Sequence, residues 1–97
     1  MKDVLIRTAT AGVFVGLLES PEGSDVTLRA ARRVWYWKGA ATLSELATKG
    51  PAFPLECKMP APVDSIHLFG VIEIIPMTKE ACQKIGEVPA WSEHKNN

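Results

Sequence analysis

The sequence predicts a small α+β domain: an antiparallel, β-rich sheet, twisted or closed into a partly open barrel, carrying two short helices and built to oligomerise. Three observations lead there. Runs of β-branched, aliphatic and aromatic residues recur at Val4-Leu5-Ile6, Val13-Phe14-Val15-Gly16-Leu17-Leu18, Val26-Thr27-Leu28 and across residues 66–75. Glycine and proline punctuate the chain between these runs. Two threonines, Thr42 and Thr78, stand where helix N-caps are expected.

Val4-Leu5-Ile6 begins the first strand and Thr10-Ala11-Gly12 turns the chain into the second. Ser20-Pro21-Glu22-Gly23-Ser24 is a stronger turn signal, because proline fixes φ and glycine permits a positive φ. The strand that starts at Asp25 is expected to run to Trp37 with a break or bulge around Ala30-Ala31, so that residues 13–37 form a long twisted hairpin. Lys38-Gly39-Ala40-Ala41 ends that unit. Thr42-Leu43-Ser44-Glu45 is a capping box for a helix of about two turns, which Gly50-Pro51 stops. Four of the seven prolines fall within residues 51–62, an extended loop with room for a short edge strand at 55–58.

Residues 66–75 read as one strand that is apolar on both faces, with Gly70 as a bulge or a point of close backbone approach. Thr78 then caps a second helix over 79–85, closed by Gly86. The polar tail 88–97 is expected to be partly ordered by Trp91, either as a hook on a neighbouring molecule or as a plug over the last helix, and frayed from His94 onward. A strand buried on both faces needs cover that two short helices hardly supply. A second copy of the chain is the expected remedy, and a barrel closing over its own strands is the alternative.

Composition bounds the function. At 97 residues the chain is a single domain, 1–97. It is 46% hydrophobic and 23% charged, with 11 basic and 11 acidic residues. Zero net charge gives no support to nonspecific binding of DNA or membranes. No segment approaches the length of a membrane span, and Met1-Lys2-Asp3 does not open a signal peptide. Cys57 and Cys82 form no C-x-x-C pair. The expected setting is a reducing cytoplasm.

Against that neutral background one segment stands out. Residues 29–38 hold Arg29, Arg32, Arg33 and Lys38 together with Trp35, Tyr36 and Trp37, and no acid lies between Asp25 and Glu45. Arginine presents a planar fork of donors that matches phosphate oxygens, and tryptophan and tyrosine present flat faces for a base. The combination points to a small nucleotide-type anion. The alternative is a strand whose arginines pair with acids, as in an Arg33–Glu73 pairing, while its aromatics fill the core. In a regular strand Arg33, Trp35 and Trp37 share one face while Arg32, Val34 and Tyr36 share the other. Long single-stranded nucleic acid is a weaker rival, because the positive block is short.

Catalytic equipment is sparse. His67 lies mid-strand and reads as a hydrogen-bonded structural histidine, and His94 is in the tail. Glu73 is isolated within an apolar run. Cys57 beside Lys58 reads either as a nucleophile activated by the neighbouring cation or, the commoner case, as a buried inert cysteine. There is no zinc-ligand spacing, no nucleophile elbow and no phosphate loop. The expectation is a binding protein, not an enzyme, with no cofactor and no metal.

At Val26-Thr27-Leu28, Ala31-Arg32, Tyr36-Trp37, Lys49-Gly50-Pro51, Phe69-Gly70-Val71 and Thr78-Lys79-Glu80-Ala81 the chain resembles small proteins encoded by tailed phages and prophages. The order and spacing of these pieces, over about residues 25–91, carry the likeness. Within that group it is similar to the Thoeris anti-defence sponge proteins. The resemblance implies a small, β-rich, oligomeric phage protein in the host cytoplasm. It would sequester a nucleotide immune signal, a cyclic oligonucleotide or a cyclic ADP-ribose isomer, at subunit boundaries without cleaving it. Only the arginine and aromatic character of Arg32, Tyr36 and Trp37 carries over residue by residue. The rival class is a phage interaction or assembly protein that uses the same block as a hot spot.

Overall fold

The computed structural model describes residues 1–22 and 24–92. The elements follow in the order β1 (Lys2–Thr8), β2 (Val13–Glu22), β3 (Asp25–Arg33), α1 (Leu43–Lys49), β4 (Val63–Leu68), β5 (Val71–Pro76) and α2 (Lys79–Gly86), with a 3-10 turn at Pro54–Glu56. The strands form one antiparallel sheet in the order β4-β3-β2-β1-β5. The expected α+β class and the two short helices are therefore present. No helix among the described residues is long and apolar enough to cross a membrane.

The connection between β4 and β5 shapes the sheet. These strands lie at opposite edges, yet only Phe69 and Gly70 separate them. Three trans peptide steps reach at most about 11 Å, whereas four strand spacings in a flat sheet would take about 19 Å. The open sheet must coil until its edges converge at that end. Val71 N–H donates to Ser24 O at 2.9 Å and Ala9 N–H to Gly70 O at 2.9 Å, which ties the connection to the neighbouring turns. The run 66–75 is therefore two strands and not one. Gly70 adopts a φ of 68°, the left-handed region that glycine enters without Cβ strain, and it breaks the strand. Ile72 and Ile74 of β5 remain 54% and 38% exposed, so cover on both sides is not complete within this chain.

Coiling gives the sheet two cores. Val4, Leu5 and Ile6 are consecutive in the interior strand β1 and all buried. Because side chains alternate across a strand, Leu5 joins Val15, Leu46, Ala47 and Ile85 beneath the helices. Val4 and Ile6 join Phe14, Val26, Leu28 and Leu68 inside the curl.

The β2–β3 hairpin carries the expected bulge. Val15 pairs with Arg32 and Leu17 with Arg29, so Gly16 alone faces both Ala30 and Ala31. Ala30 takes a φ of 50° to make the step. A Cβ on Gly16 would lie 3.0 Å from Arg29 O and 3.2 Å from the Ala31 Cα, so the two strands can close only over a glycine. Two boundaries differ from expectation. Strand β3 ends at Arg33, after which Tyr36 forms an isolated bridge with Lys58. Strand β2 runs through Ser20 and Pro21 to Glu22, which pairs with Asp25, so the reversal is shorter than 20–24; its Gly23 lies outside the described residues.

Both helix starts follow the cap chemistry. Thr42 Oγ1 accepts the Glu45 N–H at 3.1 Å, while Glu45 Oε1 accepts the N–H of Ala41 at 2.8 Å, one residue further back than in an ordinary capping box. Gly50 closes α1 with a φ of 76°. Thr78 Oγ1 accepts the Ala81 N–H and donates to Thr48 O, which fastens α2 to the end of α1. Gly86 remains in α2 and Glu87 is the cap, because no left-handed residue ends this helix. The expected edge strand at 55–58 is replaced by the 3-10 turn and the bridge at Lys58. The tail from His94 lies outside the described residues.

Candidate functional site

The segment 29–38 does not form one patch. Arg32 is buried at 9% exposure, on the helix side of the sheet. Its Nε donates to Pro60 O at 2.8 Å, Nη1 to Ile85 O at 3.1 Å, and Nη2 to Met59 O and Val88 O at 3.0 Å each. Four of the five N–H donors of a guanidinium are thus spent on main-chain carbonyls. The charge also sits at the C-terminal end of α2, where the helix dipole favours a cation. Burial lowers the Arg32 pKa from its ordinary value. Arg32 holds three segments together, the 59–60 loop, α2 and the start of the tail. Its expected role as a phosphate ligand gives way to this one because its donors are already occupied.

Trp37 likewise turns inward. Its Nε1–H donates to Ala40 O at 3.1 Å and its ring packs on the core under the helices. Arg29 is exposed but pairs with Glu19 at 3.4 Å. Lys38 pairs with Glu56 at 2.9 Å and lies 5.9 Å from the Phe53 ring centroid. The hydrogen bond and charge of Glu56 raise the Lys38 pKa. These two cations follow the alternative that the sequence left open, basic residues matched by acids.

What remains is a surface of cations and aromatics at the end of β3. The Arg33 guanidinium lies 4.7 Å from the Phe14 ring centroid and at the wall of a groove of about 200 Å³ that also involves Ala31, Pro60 and Val63. Trp35, two residues on, is 64% exposed and stacks on Trp91 with ring centroids 6.2 Å apart and planes at 20°. Lys58 Nζ lies 5.5 Å from the Trp91 ring centroid. The backbone fixes this grouping. The N–H groups of Trp35 and Tyr36 donate to Lys58 O, Lys58 N–H to Tyr36 O, and Trp91 N–H to Met59 O. Among the described residues, neither Arg33 nor Lys58 has a carboxylate partner. Tyr36 is exposed beside them.

Strict alternation holds from Arg32 to Trp35, with Arg32 and Val34 buried and Arg33 and Trp35 exposed, and fails from Tyr36, which is exposed while Trp37 is not, because the chain has left the sheet after Arg33. Two members of the surface, Lys58 and Trp91, lie outside the basic block. Trp91 carried a signal as a tail aromatic that orders its segment. Lys58 carried none, since its neighbour Trp91 is far away in sequence.

Elsewhere the titratable groups are dispersed. Glu73 pairs with Arg7 at 3.0 Å rather than with Arg33, since β5 lies beside β1. His67 Nδ1 is hydrogen-bonded to Thr27 Oγ1 at 2.9 Å and its ring lies 4.8 Å from Phe69. Cys57 is buried and its Sγ accepts the Lys38 N–H at 3.4 Å. A cleft of about 370 Å³ between α2 and the sheet has Asp3, Arg32 and Cys82 on its walls. Burial, and secondly Asp3, raise the Cys82 pKa. No group of three or more His, Cys, Asp or Glu residues that could hold a metal ion occurs among the described residues.

No curated protein and no solved structure matches this chain. One family model does, over residues 1–85, a span that includes Arg33, Trp35 and Lys58 and stops short of Trp91. The chain belongs to the family described as a domain of unknown function, DUF6948.

Proposed function

We propose that the protein binds a nucleotide-type anion at the surface of Arg33, Trp35, Lys58 and Trp91 and holds it without cleaving it. In biological terms this is a phage-type anti-defence sponge for a cyclic oligonucleotide or a cyclic ADP-ribose isomer. One observation carries the reading: a stacked pair of exposed indoles has Lys58 over one ring and Arg33 two residues before the other, and neither cation has a carboxylate partner among the described residues. Arg7, Arg29 and Lys38 pair with acids, whereas Arg33 and Lys58, like Lys2, Lys49, Lys79 and Lys84, form no such pair among the described residues; the aromatic rings beside them set Arg33 and Lys58 apart. A phosphate would pair with these two cations, and an indole face would take the base.

Magnitudes bear on the assembly. A charge-assisted hydrogen bond contributes about 1.5–3 kcal/mol and a stacked base about 1–3 kcal/mol. Two cations and one stack therefore correspond to roughly millimolar to micromolar binding before association costs are subtracted, and to weaker binding after them. Tight sequestration calls for contacts from a second copy, so a homo-oligomer is part of the proposal.

Titration calorimetry with a panel of cyclic dinucleotides, cyclic trinucleotides and cyclic ADP-ribose isomers tests it. Arg33→Ala and Lys58→Ala should each weaken the bound panel member about tenfold or more, while Arg29→Ala, whose partner is Glu19, should leave it unchanged. Binding that is indifferent to Arg33 and Lys58 would remove the site.

A second reading, an interaction or assembly protein, is favoured by a different surface. Phe69, Ile72 and Ile74 are exposed along and beside β5, a free edge of the sheet. Apolar side chains on an open edge suit pairing with another chain. In that case Ile72→Lys would abolish assembly without altering any nucleotide titration.

A further inference from the structure

We infer that Trp35 and Trp91 are the two jaws of a clamp that takes a purine ring between them. The inference rests on the nucleotide reading above and names the part of the ligand that this surface selects. The rings are nearly parallel, at 20°, with centroids 6.2 Å apart. A flat ring held between two others needs about 7 Å, two van der Waals gaps of about 3.5 Å each. A centroid separation of 6.2 Å is that of two indoles resting on each other with an offset, so the rings must part to admit a base, which would replace one indole–indole contact by two indole–base contacts.

The mounting of the jaws suits a small opening. Trp35 follows directly on the sheet, and its N–H donates to Lys58 O. Trp91 hangs from the next residue of the same loop, through its N–H to Met59 O and the bridge between Ala90 and Met59. One jaw is thus fixed by β3 and the other by a single bridge, so a rotation of the Trp91 segment widens the gap without disturbing either core. Trp35 and Trp91 are 64% and 41% exposed, and a ring between them would cover apolar surface that now meets water. Lys58 lies 5.5 Å from the Trp91 ring centroid and supplies positive charge at one jaw, while Arg33, two residues before Trp35, lies over Phe14. A purine matches the two-ring area of an indole better than a pyrimidine does.

The test uses two probes, ADP-ribose, which carries the purine and a pyrophosphate, and inorganic pyrophosphate, which lacks the ring. The wild-type protein should bind ADP-ribose more tightly than pyrophosphate, with quenching of tryptophan fluorescence. Trp35→Ala and Trp91→Ala should each weaken ADP-ribose about 5- to 150-fold and leave pyrophosphate unchanged, while Trp91→Phe should retain part of the gain. Both alanine variants should stay folded with a melting temperature only a few degrees below the wild type, since each loses the indole stack but neither ring belongs to a core. If both bind ADP-ribose as the wild type does, the clamp is refuted while the anion site stands. If the wild type binds neither probe and no member of the cyclic-nucleotide panel, the nucleotide reading fails and the clamp with it.

Discussion

Arg32 and Arg33 are adjacent in the chain and opposite in circumstance: the first guanidinium donates to four main-chain carbonyls in the interior, and the second lies 4.7 Å over the Phe14 ring at the surface. Strand alternation separates them, and the separation divides the structural role of Arg32 from the binding role proposed for Arg33. Arg32→Met would leave four carbonyls without their donor. The expected cost is about 3–5 kcal/mol, a fall in Tm of about 12 °C or more for a domain of this size. Arg33→Ala should cost about 1 kcal/mol or less, the worth of an exposed cation–π contact. Chemical denaturation of the two variants checks this directly.

The Arg32 contrast also marks how far the sequence could be read. Alternation predicts that Arg32 and Arg33 face apart. It does not tell which face is interior, because the partners of Arg32 are carbonyls of Met59, Pro60, Ile85 and Val88, and a carbonyl leaves no trace in residue type. The bulge at Ala30-Ala31 was legible because two alanines interrupt a β-branched run. The helix starts at Thr42 and Thr78 were legible because capping is local chemistry. The division of 66–75 into two strands was not, since a glycine in an apolar run reads equally as bulge or turn. Only the pairing of β4 with β3 and of β5 with β1, both far away in sequence, decides between them. The Trp35–Trp91 contact depends on the same long-range closure.

The bulge gives a pair of opposed outcomes. Gly16→Ala places a Cβ 3.0 Å from Arg29 O, a backbone atom with little room to yield, and should destabilise by about 1–3 kcal/mol. Ala30→Gly relieves the left-handed φ of 50° at that position and should stabilise by up to about 1 kcal/mol. Urea midpoints of the two single variants measure both.

Thr78 serves two elements at once, as the N-cap of α2 and as a donor to Thr48 O at the end of α1. Thr78→Ala should cost about 1–2 kcal/mol. Thr78→Ser keeps the hydroxyl and should restore most of it. Equal losses for the two variants would show that the methyl group, not the hydrogen bonds, matters.

Cys82 sets a pH dependence. Burial, with Asp3 secondarily, holds its folded pKa above the ordinary thiol value, so the unfolded chain releases this proton first as pH rises. In that window the folded state binds more protons, and stability falls with rising pH. The loss should begin near the ordinary thiol pKa, about 8.5, and continue toward the raised folded value. Comparing denaturation midpoints at pH 7.5 and pH 9.5, the wild type should lose more than Cys82→Ala. An equal loss in both proteins would remove Cys82 as the cause.

The central claim is that the Arg33, Trp35, Lys58 and Trp91 surface holds an intact nucleotide-type ligand. Native mass spectrometry of the protein, alone and after incubation with cyclic dinucleotides, cyclic trinucleotides and cyclic ADP-ribose isomers, tests it most directly. The account predicts an oligomer that gains the unchanged mass of one panel member and releases that same mass on denaturation. An oligomer or monomer that gains none of them, or that returns a cleaved product, would contradict it.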